Sequence, residues 1–287
     1  MSIDTLPTDI LLIIINNTTY NDISTLLSVN QNINKFIKNN NKFINIDELV
    51  SLNTLTNPKK TLKRFPNVKF VCNIKTDKKL LKYGNNIYNL KFTKCKSDVD
   101  FSFLTNFYKL LLLDLSQCYI NDASLECISK NVYNLESLNL FVCRDITNDG
   151  LVHVGKIHSL KVLNLGSCDR INDIKCLSNL INLEELDLSI LRINSIDVLR
   201  KFVNLNTLHL SMCGYINDNE LKYGIFDNLN KLKFLDLSWC SNITNHVFDC
   251  GSLNNLNKHV KTLYLSKNIN INPEALEKFN NINIVYR

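Results

Sequence analysis

No apolar run in these 287 residues approaches the ~18 that a membrane-spanning helix needs. The longest near the start, Ile10 to Ile15, follows Asp4 and Asp9. A secretory signal wants a positive start and a longer apolar region, so no signal peptide is expected, and the chain is read as cytoplasmic or nuclear rather than secreted. Metal-site spacings are missing as well. No C-x-x-C and no H-E-x-x-H occurs, although there are 10 cysteines. Without secretion, those cysteines imply a reducing compartment and free thiols. The histidines, His153, His158, His209, His246 and His259, belong to no nucleophile motif. Gly150-Leu-Val-His-Val-Gly155-Lys156 approaches a phosphate-binding loop. It ends in Ile157, where the hydroxyl that ligates magnesium should stand. No catalytic group, metal or cofactor is expected from these residues.

What the chain has in quantity is repetition. Leu135-Glu136-Ser137-Leu138-Asn139-Leu140-Phe141-Val142-Cys143 has the skeleton L-x-x-L-x-L-x-x-C, numbered here as positions one to nine, with Ile146 following. Aligned on position four, the copies fall at Val68, Leu90, Leu113, Leu138, Leu163, Leu186, Leu208, Leu235 and Leu263, at intervals of 22 to 28 residues. Positions four and six should point inward from a short strand, because successive strand side chains face opposite ways. One copy cannot bury its leucines alone; stacked copies form a parallel sheet. Cys95, Cys118, Cys143, Cys168, Cys213 and Cys240 all fall at position nine, where a small buried hydrophobe fits better than redox chemistry. Ile120, Ile146, Ile171, Ile216, Ile243 and Ile271 fill the next core layer. The Asn-Asp pairs after several of them, such as Asn121-Asp122 and Asn217-Asp218, suit a turn and a helix cap.

The period and the skeleton resemble the cysteine-containing subclass of leucine-rich repeats. The expected fold is an α/β solenoid over residues 65–287 with about nine repeats, a parallel sheet on the concave face and helices outside. Two departures stand out. Leu191 replaces Cys in the short repeat at Leu183, which predicts a local change in curvature. Asn268 replaces it in the last copy, where Ile282 to Tyr286 should close the stack as a cap strand.

The first 45 residues differ in kind. Leu6-Pro7-Thr8-Asp9 reads as a helix start, and Ile10, Leu11, Ile14 and Ile15 give it an apolar face. Asn21 or Asp22 can cap a second helix bearing Ile23, Leu26, Leu27 and Val29; Ile33, Phe36 and Ile37 mark a third. Three such helices bury little surface alone and need a partner or the next domain. The "LP" opening, Asn21-Asp22-Ile23, Leu26-Leu27-Ser28-Val29 and the pair Ile33 and Phe36 together resemble an F-box over residues 4–45. In that family these segments dock a Skp-type adaptor that links to a cullin ubiquitin ligase. The resemblance implies adaptor contacts at Leu6, Pro7, Ile10, Ile14, Asp22, Ile23, Leu26 and Val29. Ile33 stands where the family commonly has Trp. The other reading is a helical cap sealing the first repeat. Residues 46–64 read as a junction that Leu49, Leu52, Leu55 and Leu62 can pack.

Since the repeats share a scaffold, function should lie where they differ. Positions three, five and seven should face the groove, with position eight at its rim. That makes Phe141, Asp187, Ile190, His209, Met212, Asp236, Trp239 and Tyr264 candidates for contact with a target protein. Trp239 is the only Trp, and it and Met212 either form a contact patch or fold over neighbouring repeats. Charge is polarised. Lys59 to Lys96 carries twelve Lys or Arg against one acid, Asp77, a net of +11 in a chain of +6. Lys69, Lys91 and Lys94 form a candidate basic patch there, readable as a solvated face, an acidic-protein contact or a nucleic-acid contact. Three functions follow: substrate receptor of a cullin-type ubiquitin ligase, a repeat scaffold outside any ligase, or a nucleic-acid-binding solenoid.

Overall fold

Eleven short strands run side by side in one sheet, each parallel to its neighbours in strict chain order from β1 (Val50–Ser51) to β11 (Asn283–Tyr286). The computed structural model describes residues 50–51, 69–72, 84, 87–92, 95, 99–221, 224–249, 253–266 and 271–286. The helical domain expected over 1–45, with all its adaptor contacts, lies outside the described residues. So do Lys94 and most of the junction and of the outer helix expected from Thr76. Between the ends, the strands are β2 (Lys69–Cys72), β3 (Asn89–Phe92), β4 (Leu112–Asp114), β5 (Ser137–Asn139), β6 (Val162–Asn164), β7 (Glu185–Asp187), β8 (Thr207–His209), β9 (Phe234–Asp236) and β10 (Thr262–Leu265).

The register corrects the sequence alignment at one end. Leu90 pairs with Phe70, and Phe70 with Val50. Position four of the second strand is therefore Phe70, two residues beyond Val68. A slip of two keeps every side chain on its own face, so alternation alone could not place it. Lys69 moves from position five to position three. A further strand, β1, precedes the expected start of the array, inside the stretch read as a junction. From Leu90 to Leu263 the pairing matches the expected register, and β11 closes the stack on β10.

Alternation explains the core. Leu113 and Leu115, Leu138 and Leu140, and Leu163 and Leu165 are buried, while Leu112 and Asp114 between and beside them are half-exposed. The isoleucines after the cysteines, from Ile120 to Ile243, are buried too. Each such side chain contributes roughly 2 kcal/mol of transfer free energy, available only when the next repeat covers it.

From β3 to β10 the outer face is built from short helices whose type follows the repeat length; the last and shorter interval, from Leu263 to Ile284, departs from this and carries the α-turn Pro273–Leu276. Intervals of 25 residues or more carry α-turns, at Asp122–Asn131, Asn148–Val154, Asp218–Leu221, Asn245–Asp249 and Leu256–His259. Intervals of 22 or 23 carry 3-10 helices, at Phe101–Asn106, Lys175–Asn179 and Asp197–Lys201. A 3-10 helix rises about 2.0 Å per residue against 1.5 Å, so fewer residues span the same outer edge. The short repeat with Leu191 accordingly stays in the sheet, with Leu191 buried where other repeats place Cys.

The Asn-Asp pairs divide their work. Asn121 caps its own helix, its side-chain oxygen accepting from the Ser124 N–H at 3.1 Å. Asp122 reaches the next repeat and accepts from the N–H and the hydroxyl of Thr147, at 2.8 and 2.7 Å. Asp218 holds Thr244 in the same way. The glycines of the phosphate-loop look-alike are packing glycines. A Cβ on Gly150 would stand 2.2 Å from the Asp122 carboxylate, and one on Gly155 2.3 Å from the Cys176 carbonyl. Gly150→Ala should therefore push Asp122 off Thr147 and lower unfolding free energy by about 1–3 kcal/mol, measured by urea titration. A variant as stable as the parent would show that the carboxylate can move without loss.

The position-nine cysteines are core residues with a polar duty. The thiols of Cys118, Cys143, Cys168, Cys213 and Cys240 donate to the position-six carbonyl of the preceding repeat at 3.0–3.5 Å. Burial pushes Cys168 and Cys213 up to about 12 and Cys240 up to about 11, with Cys143 shifted further the same way. Folded pKa values above the unfolded ones mean that this stability is complete below about pH 8.5 and drains as pH rises toward 12. Urea midpoints measured from pH 7 to 11 should fall, and Cys168→Ala with Cys213→Ala should flatten that fall. An unchanged slope would remove the thiols from the account.

Candidate binding surface

Every described repeat from β4 to β9 leaves its strand through the same tight turn. The position-nine N–H donates to the position-six carbonyl of its own repeat, as Cys118 to Leu115 at 3.0 Å and Cys143 to Leu140 at 3.0 Å. In the type II form of such a turn the third residue takes a positive φ. That residue is position eight: Gln117, Val142, Ser167, Ile190, Met212 and Trp239 all lie at φ between 58° and 67°. Its N–H continues the ladder, donating to the position-seven carbonyl of the next repeat, from Gln117 to Phe141 through Met212 to Ser238. Trp239 N–H donates to the Ser266 hydroxyl instead, at 3.0 Å. No sequence signal marks this geometry, because Gly and Asn, its usual occupants, are absent from all six positions.

Position five proves to be half scaffold. Asp114, Asn139, Asn164, Asp187 and Asp236 each accept from the position-seven N–H two residues on, at 2.9–3.0 Å. Asp236 is buried, and this corrects its reading as a free contact residue: its carboxylate is committed inside the face. Asp187 is half-buried, its second oxygen accepting from the Asn164 amide at 3.1 Å. Position seven is tighter than expected. Ser189, Ser238 and Ser266 are buried, and Gly166 leaves room for the ring of Phe141, which lies over it. Lys91 forms an ion pair with Asp114 at 2.8 Å, so of the three basic-patch candidates it is a paired one.

The remaining candidates gather in the C-terminal half. His209, Phe234 and Tyr264 stack across three adjacent strands, with ring centroids 4.8 and 5.0 Å apart. Beside them on the rim, Ile190, Met212 and Trp239 are 41%, 51% and 56% exposed. Trp239 and Met212 thus stand out from the sheet and do not fold over their neighbours.

A second feature, on the opposite edge, escaped the sequence reading. Tyr108, Tyr133, Ile181 and Val203 are exposed, each two residues before its repeat's first leucine. The repeat period itself would have found them, since all four share one alignment column. Close by, Glu184, Asn204, Lys231, Lys233, Lys258 and His259 line a polar groove of about 500 Å³. Among the described residues no three His, Cys, Asp or Glu side chains converge as a metal ion would require.

With this geometry in hand, similarity can be weighed. No protein-family model and no curated protein sequence matches the chain. Among solved structures, internalin C2 of Listeria monocytogenes is similar at 22% identity and a TM-score of 0.52, over 72% of this chain and 84% of that one. The fold is a leucine-rich-repeat solenoid. An internalin F structure from the same organism aligns at 18% identity and a TM-score of 0.49, over 91% of this chain and 86% of that one. At 22% identity the likeness to internalin C2 speaks for fold alone, and a fold hosts many functions.

Asp236 offers a direct check on the scaffold role. Asp236→Asn keeps the oxygen that accepts from Ser238, and should change unfolding free energy by under ~1 kcal/mol. Asp236→Ala strands a buried N–H and should cost about 1–3 kcal/mol. Equal losses in thermal or urea melts would refute the assignment.

Proposed function

We propose that this chain is the substrate-recognition subunit of an SCF-type cullin ubiquitin ligase. Residues 4–45 would dock a Skp-type adaptor, and the concave face would hold a target protein for ubiquitin-dependent degradation. The observation behind this reading is the pairing of an F-box-like segment with a cysteine-containing repeat array in one chain. The array supplies a rigid surface whose scaffold positions are spoken for and whose exposed positions vary. In this reading the chain performs no covalent chemistry and needs no cofactor. Ubiquitin transfer belongs to other subunits, and the protein works in the cytoplasm or nucleus.

A repeat scaffold outside any ligase is the second reading. It is favoured by Ile33, which stands where an F-box commonly has Trp. A nucleic-acid-binding solenoid is the least favoured. From β4 to β9, positions three to eight carry Asp114, Glu185, Asp187 and Asp236 and no Lys or Arg. Phosphates would meet like charge across that face.

Co-purification separates these readings. The full chain should bring down a Skp-type adaptor, and Leu6→Ala with Pro7→Ala should weaken that binding by about tenfold or more, some 1.4 kcal/mol. Absence of adaptor binding, or binding indifferent to the double substitution, would leave the scaffold reading in its place.

A further inference from the structure

Position eight breaks a local rule in this chain, and the break is informative. The turn forces a left-handed backbone there in all six described repeats. Gly and Asn accept that conformation most readily, and β-branched residues least. The chain contains 45 asparagines, yet none stands at these six positions. Instead Ile190, Met212 and Trp239 occupy three consecutive copies, and all three are exposed. Backbone preference therefore disfavours them, and burial in the core does not account for them. A side chain kept where neither the backbone nor the core wants it points to a contact outside the chain.

The surroundings specify the contact. Adjacent strands lie about 4.8 Å apart, so the three side chains form a continuous apolar ridge. The stacked rings of His209, Phe234 and Tyr264 run alongside it. Glu185 is exposed in the same face, with Asp187 half-buried beside it, and positions three to eight of β4 to β9 hold no Lys or Arg.

We infer that the rim and concave face of β7–β9 bind a polypeptide segment in which apolar residues alternate with Lys or Arg. Its apolar side chains would seat on Ile190, Met212 and Trp239, and its cations would face Glu185 and Asp187. This deepens the target-binding role proposed above and rests on it for its biological meaning. The chemistry of the surface is testable without an adaptor.

The test uses the full chain and three short synthetic peptides. One alternates Leu and Lys, one alternates Leu and Glu, and one alternates Ser and Lys. A chain of net charge +6 would attract the Glu peptide non-specifically, so preference for the Leu–Lys peptide reports the local face. That peptide should bind at least about tenfold tighter than either control. Replacing Ile190, Met212 and Trp239 together by Asn should cut its binding by about tenfold or more. The same replacement should leave the thermal midpoint unchanged or raise it, because Asn tolerates the left-handed turn. Trp239→Asn alone repeats the measurement with the least disturbance. Equal or tighter binding of the Glu peptide overturns the inference. So does unchanged binding by the Asn variants, or a midpoint lowered by several degrees, which would make the three residues structural. Failure of adaptor docking would leave this result standing, and failure here would leave adaptor docking standing.

Discussion

The position-six carbonyl is the joint on which the stack turns. At Leu115, Leu140, Leu188 and Leu210 it accepts the N–H of position nine in its own repeat and a cysteine thiol from the next. The first bond closes the turn that ends the strand. The second ties that turn to its neighbour in the buried layer. Together they require a small donor at position nine and a left-handed residue at position eight. Leu191 shows how far the requirement bends. It fills the space and keeps the backbone bond, at 3.3 Å, but a leucine has no proton to offer the preceding repeat. One lost thiol contact is tolerated because the sheet hydrogen bonds on both sides persist.

Once this joint is set, most polar groups on the inner face are claimed. The turn swings the position-seven N–H away from the ladder, and a position-five Asp or Asn collects it. On the outer face the Asp of one repeat holds the Thr that starts the next helix. Buried polar groups demand such partners, since an unpaired one costs about 1–3 kcal/mol. The positions left free to differ are therefore few. Position three and position eight carry most of that freedom, with position five joining where Lys91, His209 or Tyr264 replaces the acid or amide.

The sequence made the period, the inward leucines and the buried cysteines legible because each repeats against a fixed spacing. It misplaced the second strand because Val68 and Phe70 are two positions apart in the sequence, a shift that alternation cannot detect, and only the pairing of Phe70 with Leu90 decides it. The acidic residues looked like contact groups because a capping Asp and a free Asp are the same letter. What distinguishes Asp236 is a hydrogen bond to a backbone N–H two residues away, a fact of geometry. The left-handed turn was invisible for the opposite reason. Its residues are Gln, Val, Ser, Ile, Met and Trp, with neither Gly nor Asn among them to mark a positive φ. The outer 3-10 helices between β3 and β8, by contrast, follow from interval length where the spans of neighbouring repeats must match.

Charge and shape converge on the same three repeats by separate routes. Twelve of the 33 cations of the chain lie between Lys59 and Lys96, and near the end of that stretch Lys91 is neutralised by Asp114 across β3 and β4. From β5 to β6 the inner face bears no charged strand residue, only Asn139 and Asn164 at position five. Carboxylates then appear at Glu185, Asp187 and Asp236, in β7 and β9. The exposed apolar residues of the rim, Ile190, Met212 and Trp239, stand in the repeats of β7 to β9. The acids are fixed by strand position and the rim by turn position, so neither feature produces the other. Screening confines the field of these acids to about 8 Å, which is the reach of a segment lying directly on the ridge. A long-range steering surface would spread its charge over the whole array. This one concentrates charge and exposed apolar area in three adjacent strands, the pattern expected of a surface that reads a short stretch of chain.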